Sequence, residues 1–261
     1  MTAPLITAHS GCEGTERDSL ESVQQAVELG ADAVEVDVRM APDGVLRISH
    51  DKKLSGTRNV VQASLEDVFS MIGPTPLSIN CDIKEREHLY ALFRLAEQCG
   101  FSKDRLIVSG SVSPEQLAYD PGIADRATLY MNIEELFKYL YLFNTSFSFN
   151  DFSRLMTEPW AFTRSYMKQL DEYLPAVIDF SHHLGIRTIN FPYQHVKEHH
   201  CRILQEADLF VSVWTVDDSN ALQTFCDFSL SNLENVTTRN VRVAKSIFGT
   251  HKTVVSQPFL A

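Results

Sequence analysis

The sequence predicts an α/β fold: one (β/α)8 TIM-type barrel over residues 1–261, with an aromatic-rich insertion at about 132–183. Three observations predict it. Short β-rich runs recur with helical segments between most of them, the rhythm of parallel β/α units. About eight such runs in 261 residues suit a barrel of ordinary size. No glycine-rich phosphate loop of the GxGxxG or Walker type appears, which weighs against an open doubly wound sheet.

Taken in order, strands are expected at Leu5–His9, Ala33–Val38, Val45–Ser49, Leu77–Ile83, Arg105–Ser109, Ala127–Tyr130, Ile186–Asn190 and Leu209–Thr215, with a ninth short run at Asp227–Leu230. Ser19–Leu29 has helical spacing and stops at Gly30. Ser64–Ile72 opens on a Ser-Leu-Glu-Asp capping pattern and closes at Gly73-Pro74, and His88–Cys99 is stopped by Gly100. Between Phe137 and Tyr173 aromatics crowd together, from Phe143, Phe147, Phe149 and Phe152 to Trp160 and Phe162. This stretch falls between two barrel strands. It reads either as a lid for an apolar substrate moiety or as an insertion supplied with its own small core.

A formal charge of −11 argues against a nucleic-acid binder held by phosphate neutralisation. An anionic substrate would need a cation or a local basic group to receive it. The five cysteines (Cys12, Cys81, Cys99, Cys201, Cys226) are odd in number and never at CxxC spacing, so free thiols in a reducing compartment are expected. No apolar run approaches a membrane span and the start lacks the features of a signal peptide, so the expected location is the cytoplasm. Nothing in the sequence fixes the oligomeric state.

The chemistry gathers around Ala33-Val34-Glu35-Val36-Asp37-Val38. Strand side chains alternate faces, so Glu35 and Asp37 share one face and the three valines the other. Paired carboxylates on a buried strand are costly unless a cation offsets them, and oxygen ligands of this kind suit Mg²⁺ or Ca²⁺. The alternative is a salt bridge at the barrel mouth to Arg39 or Lys84. Pro42-Asp43-Gly44 signals a turn. If Asp43-Gly44 is a two-residue hairpin turn, Asp37 faces His50 and Glu35 faces Lys52, making His50 a candidate general acid or base. Asp82 and Lys84 share a face at the end of the fourth run, and His9 closes the first, where barrels place catalytic groups. His195 and His199 stand at i, i+4, but no glutamate or cysteine nearby completes a zinc set. They and His182, His183 and His200 are expected on a solvated face.

In this order and spacing the chain resembles the glycerophosphodiester phosphodiesterase family. The resemblance is carried by His9-Ser10-Gly11, Gly30-Ala31-Asp32, Glu35-Val36-Asp37-Val38, Asp43-Gly44, His50-Asp51 and Leu54. It continues in Ser64-Leu65-Glu66-Asp67-Val68-Phe69, Asp82-Ile83-Lys84, Arg105–Ser109 with Pro114-Glu115, and Val213-Trp214-Thr215-Val216-Asp217. The resemblance implies a barrel enzyme that cleaves glycerophosphodiesters to glycerol 3-phosphate and an alcohol. Glu35, Asp37 and Asp82 would hold one divalent cation, Mg²⁺ or Ca²⁺, and His9 and His50 would be the acid/base pair. Lys84 would contact phosphate and Trp214 would wall the glycerol.

Four positions depart from the family. Ser10 stands in place of an arginine, Arg17 in place of a glutamate, and Gly56 in place of an arginine with Arg58 close behind; Asp82 is one methylene shorter than the family's glutamate. The expectation is that Arg17 or Arg58 reaches the position vacated at Ser10. Two other readings stay open: a lyase that stops at a cyclic phosphate, and a barrel that binds an anionic ligand without turnover.

Overall fold

The computed structural model describes residues 3–52, 62–143 and 167–250. Eight parallel strands close into a barrel: β1 (Leu5–Ala8), β2 (Ala33–Met40), β4 (Ser78–Ile83), β5 (Leu106–Gly110), β6 (Thr128–Asn132), β7 (Thr188–Pro192), β8 (Phe210–Trp214) and β9 (Leu233–Thr238). Closure is made by β1, which pairs with β9 through Ala8↔Thr238 and with β2 through Thr7↔Ala33. A further strand, β3 (Leu46–Ile48), runs antiparallel on the edge of β2.

Helices α1 (Leu20–Glu28), α2 (Leu65–Ile72), α3 (Leu89–Gln98), α4 (Pro114–Tyr119), α5 (Ile133–Phe143), α6 (Leu170–His183), α7 (Glu198–Glu206), α8 (Ser219–Asp227) and α9 (Val241–Thr250) complete the pattern. Their limits follow local chemistry. The Ser19 hydroxyl caps α1 by accepting from the Ser22 amide, and Gly30 leaves the helix at φ 61°. Ser64 and Asp67 form the expected capping box on α2. Val34, Val36 and Val38 of β2 join Val23, Ala26, Val68 and Phe69 in the core between strands and helices. The inward face is partly polar: Thr7 donates to Asn235 (2.5 Å), whose amide donates to Ser212 (2.9 Å) and Thr237 (3.0 Å).

The strand list changes at two places. Val45–Ser49, counted among the eight runs, is not a barrel strand: its Leu46–Ile48 forms the expected hairpin with β2. Asp227–Leu230 is the end of α8 and the turn after it, where Ser229 takes φ 49°. The last barrel strand is instead Leu233–Thr238, whose inward Asn235 and Thr237 made it read as polar.

The hairpin register is also shifted by one residue. Ala41 donates to Val45 (2.9 Å), leaving a three-residue loop, Pro42-Asp43-Gly44, with Gly44 at φ 80°. Val38 therefore pairs with Ile48, and the Ser49 amide donates to the Asp37 carbonyl (2.8 Å). Asp37 faces Ser49 rather than His50, and Glu35 does not face Lys52.

Of the expected insertion, residues 144–166 lie outside the described residues. On either side, Phe137 of α5 meets Tyr173 of α6 edge to face with ring centroids 6.0 Å apart, and Tyr139 meets Phe180 at 5.2 Å. These aromatics pack helix on helix. No helix among the described residues is long and apolar enough to cross a membrane.

Candidate active site

A cavity of about 550 Å³ opens at the C-terminal ends of the barrel strands. Its wall includes His9, Ser10, Arg17, Glu35, Asp37, His50, Asp82, Lys84 and Trp214, so every described residue singled out in the sequence for this chemistry reaches one place. Gly56 and Arg58 lie outside the described residues.

The acidic cluster follows from the sheet register. β2 and β4 pair in parallel with Asp37 opposite Asp82 and Glu35 opposite Asn80, so alternate inward residues of adjacent strands converge. Carboxylate oxygens of Glu35, Asp37 and Asp82 lie within 4.8 Å of one another. Glu35 and Asp37 are each only 4% exposed. Burial, then the charges of Asp37 and Asp82, push the Glu35 carboxyl well above the usual range, and burial raises Asp82 as well. Lys84 answers with one positive charge. Its ammonium pairs with Asp37 and stands 3.3 Å from Asp82. Burial works against that ammonium, but Asp82 and Asp37 outweigh it and keep the lysine charged. The salt bridge weighed from sequence and the convergent cluster thus coexist. Gly110 holds the packing open on the β5 side, at φ 86°, where an added Cβ would lie 2.1 Å from an Asp82 oxygen.

His9 sits beside the cluster, its Nδ1 3.8 Å from Glu35 Oε2 and 3.1 Å from the Ser10 carbonyl. A carbonyl only accepts, so Nδ1 carries the proton and Nε2 is the basic nitrogen. Burial and then the nearby Arg239 lower the His9 pKa, which favours the neutral ring. The His50 ring is 67% exposed and within 3.2 Å of Asp51. Its backbone is pinned more firmly than its side chain. The His50 amide donates to Asp18 (2.8 Å), and its carbonyl accepts from Arg39 Nε (3.0 Å) and Nη2 (2.9 Å). Asp18 also accepts from the Ser10 hydroxyl (3.2 Å), which in turn accepts from the Asp18 amide (2.8 Å). Asp18 therefore ties the loop after β1 to the loop after β3, and the Ser10 hydroxyl is committed to that tie.

Three further cavity residues were not legible from sequence. Arg239, just past β9, donates from Nη1 to Asp217 (2.7 Å) and from Nε to the Ser10 carbonyl (3.3 Å). Glu134, at the start of α5, is buried with Oε2 lacking a hydrogen-bond partner among the described residues, and burial raises its pKa to about 7. Asn132, at the end of β6, accepts from the Asn190 amide (2.8 Å). Only their position at a strand's C-terminal end could have flagged them.

Away from the mouth, His199 and His200 of α7 share a carboxylate partner from another helix. Asp171 of α6 lies 2.6 Å from His199 Nε2 and 2.9 Å from His200 Nε2. His200 is 2% exposed rather than solvated.

Residues 9–85 match the Glycerophosphoryl diester phosphodiesterase family. A glycerophosphodiester phosphodiesterase of Caldanaerobacter subterraneus subsp. tengcongensis is 27% identical over 139 residues, an alignment covering 40% of this chain and 57% of the relative. A second, from Bacillus altitudinis, is 38% identical over 56 residues, covering 21% of this chain and 23% of the relative. The chain thus spans less than two thirds of the curated relatives it matches. Among solved structures, a glycerophosphodiester phosphodiesterase from Thermotoga maritima superimposes with a TM-score of 0.62 at 17% identity, covering 95% of this chain and 99% of that one. An Oleispira antarctica phosphodiesterase in complex with the product sn-glycerol-3-phosphate does so with a TM-score of 0.63 at 16% identity, covering 95% and 97%. At such identities the likeness to solved structures is one of fold. The segment 9–85 that matches the family model holds the whole acidic cluster, both mouth histidines and Lys84.

Proposed function

We propose that the protein hydrolyses glycerophosphodiesters to glycerol 3-phosphate and an alcohol, using a divalent cation and two histidines. The observation that carries this reading is the convergence of three carboxylates, one lysine and a neutral histidine on one cavity. Three acidic groups against one ammonium leave the cluster short of positive charge. An all-oxygen donor set of this size fits a hard cation, Mg²⁺ or Ca²⁺, held by Glu35, Asp37 and Asp82. When bound, the cation offsets charge on the phosphate oxygens and supports hydrolysis by withdrawing electron density.

The other steps belong to the chain itself. His9 takes up a proton through Nε2, for which its neutral state suits it. His50, at the exposed rim, supplies one to the leaving alkoxide. Lys84 reaches phosphate from the floor of the cavity, and Trp214, at the end of β8, forms a wall for the glycerol. Ser10 and Arg17 line the phosphate end. The helix α5 opens the stretch read as an insertion over 132–183, and it contributes Glu134, Glu135 and Lys138 to the far wall. The substrate is a small molecule. The five free cysteines, four of them buried, support a setting in the cytoplasm.

Phosphorus NMR of a digest distinguishes the outcomes. Hydrolysis gives the phosphomonoester resonance of glycerol 3-phosphate from the first turnover. Accumulation of a cyclic phosphodiester would replace hydrolysis by a lyase, and binding with neither product would leave only a ligand-binding barrel.

A further inference from the structure

We infer that Arg239 supplies the arginine grip on the substrate phosphate in this chain, beside Lys84, filling the place left without an arginine at position 10. The inference rests on the phosphodiesterase reading and adds to it a specific contact. An anion entering a mouth that carries three carboxylates has to be drawn in by cations already there. The cavity offers Arg17, Arg39, Lys84, Lys138 and Arg239, and their circumstances differ.

Arg39 is occupied, with Nη1 on Glu85 and with Nε and Nη2 on the His50 carbonyl. Lys138 is held by Glu135 (2.5 Å), and Lys84 by Asp37 and Asp82. Arg17 is exposed with no ion-pair or hydrogen-bond partner among the described residues, so binding through it would first have to freeze a mobile side chain. Arg239 is both anchored and available. Asp217 accepts from its backbone amide (2.7 Å) and its Nη1, and the Ser10 carbonyl accepts from its Nε. No partner among the described residues takes Nη2. A guanidinium fixed on two sides presents its remaining N–H groups in a set direction, the arrangement that favours a bidentate grip on phosphate.

The place of Arg239 is equally telling. It bonds the main chain of residue 10 itself, and its charge acts on His9 next door. An arginine grown from position 10 would have to emerge from a site only 4% exposed, where the hydroxyl of Ser10 bridges to Asp18. The guanidinium has thus moved across the barrel seam, from the loop after β1 to the loop after β9. The sequence separation of 229 residues hides the exchange.

The test uses Arg239→Gln and Asp217→Asn in the full chain, with inorganic phosphate and glycerol 3-phosphate as probes. Arg239→Gln should raise KM for a glycerophosphodiester and Ki for glycerol 3-phosphate by ~10- to 100-fold, with a smaller change in kcat. Calorimetric binding of inorganic phosphate should weaken by a similar factor. Asp217→Asn keeps the charge but loosens the fork, so Ki should rise only several-fold. A folded Arg239→Gln with parental KM, Ki and phosphate affinity would overturn the inference. So would a parental profile there combined with a weakened Arg17→Gln, which would hand the grip to Arg17. Should Arg239→Gln fail to fold, an unchanged Ki in Asp217→Asn overturns the inference by itself. A parent that binds phosphate more tightly than Arg239→Gln yet releases no glycerol 3-phosphate would sink the phosphodiesterase reading while leaving the grip in place.

Discussion

Turnover is expected to fall by ~10²-fold or more when Glu35 becomes glutamine, while the metal-free protein becomes harder to melt at neutral pH. The first effect follows from removing one of three oxygen ligands to a cation whose charge stabilisation is worth several kcal/mol. The second follows from repulsion inside the cluster. Glu35 in the native protein holds its proton well above the ordinary 4.5, because it is buried and faces Asp37 and Asp82. Above pH 4.5 the folded form therefore binds more protons than the unfolded chain, and stability falls as pH rises. Glutamine has no proton to lose. The gain should be roughly 0.5–2 kcal/mol, a few degrees in melting temperature, at pH 7–8 and should vanish near pH 4. Thermal melts in a chelator at both pH values check it. A lower melting temperature for Glu35→Gln at pH 8 would mean that the carboxylate is structural, acting through its contact with the Ser10 amide (3.3 Å).

His9→Ala should cut kcat by ~10²- to 10⁴-fold, the range for a positioned proton-transfer group. The pH profile of the parent carries a second signature. Burial and Arg239 hold the His9 pKa below 6.5, so the acidic limb of kcat/KM should lie below that value. His50→Ala should cost a comparable factor if the exposed ring supplies the second proton. His199→Ala, on α7 and bonded to Asp171, should leave the rate near the parent's. Near-parental turnover in His9→Ala would remove it from the proton-transfer chain and reduce it to a neighbour of Glu35.

Local signals were legible where the physics is local. Ser19, Ser64 and Gly30 marked helix ends because caps act within three or four residues. The alternation in β2 placed Glu35 and Asp37 on one face without any knowledge of the fold. The hairpin failed by a single residue because Asp43-Gly44 is equally compatible with a two-residue turn and with the last two positions of a three-residue loop. That choice alone moves His50 off Asp37. β9 was missed because Asn235 and Thr237 point into a polar part of the barrel, which breaks the apolar signature of a buried parallel strand. Asp18, Asp171 and Arg239 were invisible for a different reason. Each acts on residues distant in sequence, and nothing beside them announces the partner.

Cation-dependent phosphodiester hydrolysis at this mouth is tested by release of glycerol 3-phosphate from a set of glycerophosphodiesters, with Mg²⁺, with Ca²⁺ and with a chelator. Release should require one of the two cations and fall to background in the chelator. Folded protein that releases none from any of the substrates with either cation, or that works equally well in the chelator, would contradict it.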